Sequence, residues 1–88
     1  MLTFTTIKEV KDNLGVWCKW LRKSEKLTQQ QLAKELGLSP LTISKLENGE
    51  NPTIETLLKV LQYFNEMDAF NQYLKKRIER VDNNESMY

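Results

Sequence analysis

Apolar residues recur at helical spacing along almost the whole chain, and five stripes can be traced. Val10, Leu14, Trp17 and Leu21 fall at steps of four, three and four, the period of one buried helix face. Thr6 with Glu9 three residues later carries the capping-box pattern that would start this first helix. Gly15 weakens it by ~1 kcal/mol relative to alanine without breaking it, and Trp20 lies beside the stripe, where it covers the core edge. Leu32 and Leu36 mark a second helix, and Ile43 and Leu46 a third. Ile54, Leu57, Leu58, Leu61 and Phe64 give a fourth helix a broad apolar face, suited to the centre of a small bundle. Met67, Phe70, Leu74, Ile78 and Val81 form a fifth stripe, at steps of three, four, four and three. The pattern predicts an all-α fold, a compact bundle of about five helices. Residues 1–5 have no anchor and read as a frayed end, and residues 82–88 lack periodicity and read as a flexible tail.

The residues between the stripes sharpen this picture. Thr28 and Gln31 repeat the capping-box pattern. Gly37 follows the last apolar position of the second helix, where a left-handed residue ends a helix at least cost. Ser39-Pro40 restarts one, serine as cap and proline at the first helical position, where its missing N–H is not needed. Asn48-Gly49 stops it, and Glu50-Asn51-Pro52 forms a loop before the Thr53 cap. Counting Gln29 as 1, Ala33, Gly37, Ile43 and Leu46 stand at positions 5, 9, 15 and 18. A small residue at 5 lets two helices cross closely, glycine at 9 permits the sharp turn, and the apolar pair seals both onto a core. This spacing is that of a helix-turn-helix, whose second helix can enter a DNA major groove.

Composition excludes more than it assigns. Eighty-eight residues make one small domain. With one cysteine and no histidine, internal disulfides, ordinary zinc fingers and histidine-dependent catalysis are all excluded. No metal site, cofactor or enzymatic activity is expected, and Cys18 reads as a small core residue. No apolar stretch is long enough to span a membrane, and MLTFTTIKEV lacks the features of a signal peptide, so a cytoplasmic protein is expected. The net charge is only +1, but Lys19, Arg22, Lys23 and Lys26 cluster before the helix-turn-helix, and Lys75, Lys76, Arg77 and Arg80 near the C-terminus. A locally basic face can meet phosphates on a nearly neutral protein. Solvated helix faces would have the same composition.

Three segments, LTQQQLAKELGLS, TISKLENG and PTIETLLKVL, resemble the Cro/C1-type (XRE) helix-turn-helix family of phage repressors and bacterial regulators over residues 28–64. The resemblance implies a DNA-binding domain over residues 7–65. The stripe Met67, Phe70, Leu74, Ile78 and Val81, on a C-terminal helix over 66–81, is long for so small a body and either folds back on the core or meets a symmetry mate, which makes it the candidate dimerisation surface. The partner the resemblance implies is a double-stranded DNA operator, bound by a homodimer. The recognition helix would be about Ser39–Asn48. Gln29 would bind a phosphate and brace that helix. Base contacts would come from Pro40, Leu41, Thr42, Ser44 and Lys45, with Lys45 on a guanine or a phosphate and Leu41 and Thr42 on thymine methyls, and Ser39 belongs to the same DNA-binding set. Asn48 and Asn51 would hold phosphate from the following loop, with Lys23 a further contact. Arg22 and Glu47 match a structural ion pair of the family. Several phage repressors carry glutamine where Pro40 and Leu41 stand. The bidentate adenine contact of such a glutamine is absent here, which leaves more of the specificity to apolar contact and DNA shape. The function implied is sequence-specific transcriptional regulation, most simply repression. The alternative is an antitoxin that represses its own operon and holds a toxin protein through its C-terminal region.

Overall fold

The computed structural model describes residues 4–85 of the chain. Five helices follow one another: α1 (Ile7–Ser24), α2 (Gln29–Leu36), α3 (Pro40–Glu47), α4 (Ile54–Tyr63) and α5 (Met67–Glu85). No strand occurs among the described residues. Residues 1–3 and 86–88, the outer parts of the expected frayed end and tail, lie outside them.

The helix starts are set by hydroxyl caps. Thr6, Thr28, Ser39 and Thr53 each sit in extended backbone and accept a hydrogen bond from the N–H three residues on, at 3.0–3.1 Å. At Thr28 the box is complete, since Gln31 Oε1 accepts from the Thr28 N–H at 2.8 Å. Each such cap satisfies a donor the helix leaves orphaned, a contribution of ~1 kcal/mol. Gly37 ends α2 in the left-handed region, at φ +68°. The Leu38 N–H then reaches back to Ala33 O at 2.8 Å, closing the turn into α3.

The core is small. Cys18 from α1, Leu32 and Ala33 from α2, Ile43 and Leu46 from α3, and Leu57, Val60 and Leu61 from α4 are buried together. Removal of a leucine-sized side chain from water contributes ~1.5–3 kcal/mol, so this handful of contacts carries the domain. Half-buried Leu14, Trp17, Leu21, Leu27, Leu36, Leu38, Leu58, Phe64, Met67 and Phe70 close its rim.

Four expectations need correcting. On α1, Leu14, Trp17 and Leu21 of the stripe pack half-buried on the core as expected, but the fully buried strip is Gly15, Cys18 and Arg22, one position round from them. Val10 is 46% exposed and Trp20, expected over the core edge, is 73% exposed. A search for large apolar letters misses a face built of glycine, cysteine and the stem of an arginine. On α4, Ile54 is exposed, and Val60, outside the expected apolar face, is fully buried. On α5, Met67 and Phe70 fold back onto the core, whereas Leu74, Ile78 and Val81 do not. Finally, α5 continues past Val81 to Glu85, into the stretch expected to be a tail.

Candidate nucleic-acid interface

α3 is eight residues long and has two distinct sides. Ile43 and Leu46 are wholly buried and fix its inner face to the core. Leu41 is 61% exposed, and Pro40 and Lys45 are exposed with it, while Thr42 and Ser44 are half-buried on the flanks. A leucine held in water on a short helix next to a lysine is costly for a domain with so few core residues. Ser39 Oγ accepts the Thr42 N–H and lies 2.8 Å from Thr42 Oγ1. Both hydroxyls are therefore engaged in the cap, and a further partner must share them.

The far end of α3 is clamped by a buried charge network. Arg22 Nε donates to Glu47 Oε2 at 2.7 Å, and Arg22 Nη2 donates to Glu47 Oε1 at 3.0 Å. Arg22 Nη1 donates to Leu27 O at 2.7 Å, which ties the loop between α1 and α2 to the same point. Both residues are only 8% exposed. The fork-on-fork geometry fixes direction as well as distance. The hydrogen bond to Glu47 holds the Arg22 guanidinium pKa above its ordinary value, against the opposing effect of burial. Among the described residues no buried side-chain nitrogen or oxygen lacks a partner, as a buried charge pair requires.

Gln29 joins this network. Its Nε2 donates to Glu47 Oε1 at 3.0 Å, so the residue that opens α2 braces the residue that closes α3. The amide carries two N–H groups. One of them is used on Glu47.

Gly15 was expected only to weaken α1, yet it decides how close α1 and α3 approach. A Cβ there would lie 2.5 Å from Glu47 O and 2.7 Å from Leu46 O. Two backbones touch where any side chain would separate them, and they do so beside the Arg22–Glu47 pair. The signal was present in the sequence: a glycine inside a helical pattern marks a close approach as readily as a weak point.

The loop after α3 is held from α1 as well. Gly49 has φ +74°, and a Cβ on it would lie 2.4 Å from Asp12 Oδ1. Lys11 Nζ donates to Asn51 Oδ1, and Lys8 pairs with Asp12 at 2.8 Å. Asn51 thus stands beside a lysine that sequence reasoning did not single out. Asn48 is exposed at the end of α3. Lys23 belongs elsewhere, for it lines a groove on the outer side of α1 with Val16, Lys19 and Trp20. The structure gathers Gln29, residues 39–45, Asn48 and Asn51 around α3 and its two ends, and leaves Lys23 apart from them.

A family model described as helix-turn-helix matches residues 19–68, more than half of the chain. The chain belongs to the Cro/C1-type helix-turn-helix family. The match covers α2, α3 and α4 entire, together with Arg22, and so contains the whole clamp around Glu47. Lys11, Asp12 and Gly15 precede it, and α5 beyond Asp68 follows it. No curated protein matches the chain. As a member of this family the protein is a DNA-binding transcription regulator in general terms. No helix among the described residues is long and apolar enough to cross a membrane.

Proposed function

We propose that the protein is a repressor that binds a specific operator as a homodimer, with α3 of each subunit in successive major grooves. The observation that carries this reading is the division of α3: Leu41 and Lys45 face water while Ile43, Leu46 and Glu47 on the same short helix are buried. A reading surface must be exposed and rigid together, and the Arg22–Glu47–Gln29 network supplies the rigidity. Lys45 donates to guanine O6 and N7, and Leu41 and the Thr42 methyl lie against thymine methyls. Ser44 and the first-turn residues Ser39 and Pro40 contact the groove edge. Gln29, Asn48 and Asn51 hold phosphates on either side and fix the register, with Lys23 as an outlying phosphate contact. Two such helices must lie ~34 Å apart to meet one face of the duplex.

Selection from a random double-stranded DNA pool tests this. The expected product is a palindromic site with half-sites one turn apart, whose binding weakens steeply as salt rises. No enriched sequence would overturn it.

A second reading makes the protein an antitoxin that represses its own operon. It is supported by the exposed Leu74, Ile78 and Val81 on α5, since a toxin also needs an apolar seat. Isolation of a stoichiometric second protein with the chain from its native host would decide for it.

A further inference from the structure

The loop that follows α3 has no cation of its own. Between Asn48 and Pro52 it carries one exposed carboxylate, that of Glu50, and no positive charge. A phosphate held at Asn51 by the loop alone would meet net negative charge. The missing cation comes from α1. Lys11 is half-buried, and its Nζ crosses to the loop and donates to Asn51 Oδ1.

Main chain holds this crossing in place. A Cβ on Gly49 would lie 3.2 Å from Asp12 Cα and 3.3 Å from Asp12 N, so the backbone of α1 runs against the loop one residue from Lys11. Gly15, a turn later, makes the same kind of approach to the end of α3. The charge of Asp12 is met by Lys8 at 2.8 Å. Among the described residues Lys11 meets no carboxylate at ion-pair distance, so its charge is left for the loop.

The hydrogen bond also decides what Asn51 can bind. An ammonium has donors and no acceptor, so it takes the amide oxygen and turns the amide nitrogen away. The pair then offers the two N–H groups of Asn51 and the two remaining N–H groups of Lys11, beside one positive charge. Donors grouped around a cation suit an anion with several oxygens.

Resting on the operator reading above, we infer that Lys11 and Asn51 form one seat for a phosphodiester oxygen of the DNA backbone, in which Lys11 carries the charge and Asn51 the direction. Lys11 lies before the matched residues 19–68, so the seat joins a residue outside the helix-turn-helix match to one inside it. Its contribution to affinity is the same for every sequence, and it fixes the register of α3 through the loop at its end.

Titration of the full chain with its selected duplex over a series of salt concentrations tests the seat. Lys11→Gln is expected to weaken binding about fivefold to tenfold at ~0.1 M salt and to lower the slope of log K against log salt by about 0.9, the share of one phosphate. Preference for the selected site over single-base variants is expected to match the wild type, and Lys11→Arg is expected to keep the wild-type slope. Asn51→Asp turns the partner of Lys11 into a carboxylate and is expected to lower the slope similarly. Weaker binding with an unchanged slope in Lys11→Gln would make the lysine a structural tie between α1 and the loop and overturn the inference. So would an equal loss of slope in Lys76→Gln, on the exposed length of α5, because Lys11 would then act only through the overall field. Without DNA, inorganic phosphate at millimolar concentration is expected to leave the Asn51 side-chain amide resonances unmoved, and saturation there would assign the seat to a free anion instead. A wild-type chain that enriches no sequence removes the operator reading itself, whereas an unchanged slope in Lys11→Gln removes only this seat.

Discussion

Glu47 is the residue on which the geometry of α3 turns. Three donors from two other helices converge on its carboxylate. Glu47→Ala would leave the Arg22 guanidinium buried with only the Leu27 carbonyl. The loss expected is ~3–5 kcal/mol in denaturant unfolding, against ~0–1 kcal/mol for a surface pair. Gly15→Ala sets two effects against each other. The better helix former contributes ~1 kcal/mol, but the new methyl meets main-chain oxygens that have no rotamer to yield, and overpacking costs ~1–3 kcal/mol. The net expectation is a lower melting temperature, together with weaker operator binding as the end of α3 shifts. Cys18 provides a pH test. Burial, with the Glu47 charge adding to it, pushes its thiol up to about 12 from 9.0. The folded chain then keeps a proton that the unfolded chain releases. This share of the stability is complete below pH 9 and is lost as pH rises toward 12. Urea midpoints at pH 8 and pH 10 should therefore fall more in the wild type than in Cys18→Ala.

Single helices show how far the sequence could be read. The caps at Thr6, Thr28, Ser39 and Thr53 are local chemistry, a hydroxyl answering an N–H three residues away, and the chain alone reveals them. So does the turn at Gly37, where the backbone itself requires φ > 0. On α1, Leu14, Trp17 and Leu21 pack on the core as their period predicts and Cys18 is the core residue it reads as, but Gly15 and Arg22 were not legible as one close-packed strip, because they score as breaker and charge. They become a face only once α3 supplies the carbonyls and the carboxylate they meet. The second role of Gln29 was legible only through the family resemblance, as an implied brace. The end of α5 was missed because residues 82–85 carry no apolar period, yet they continue a helix already propagating, which is the easier step. At this scale the prediction concerns α3. Lys45→Ala is expected to cost about 1–3 kcal/mol and to relax preference at one base pair if Lys45 reads guanine. If it sits on a phosphate, binding falls evenly across sequences and the salt slope drops by about 1. Competition between the selected site and single-base variants, at two salt concentrations, separates the two.

Over the whole molecule, the long dimension of 51 Å against 27 and 20 Å is set by α5. The core is confined to one end, and the exposed length of α5 has apolar side chains but no core of its own. Residues 75–83, the part of a deletion of 75–88 whose burial is described, are all exposed. The truncated chain should keep its melting temperature at low protein concentration, lose any rise in melting temperature that the wild type shows as concentration increases, and bind a full palindrome no better than a single half-site.

The contact at Gly15 also bears on how such a protein acquires a new target. The seat of α3 is main chain against main chain at one end and a buried charge fork beside it, and neither involves the outward residues. The exposed side chains of Leu41 and Lys45 can be exchanged for others while the pose of the rod stays constant, whereas Thr42 shares the cap with Ser39. On the repressor reading proposed above, binding preference is then free to drift from one promoter to another by substitutions that leave folding untouched, and paralogues diverging from a common ancestor would be expected to differ first at those two places.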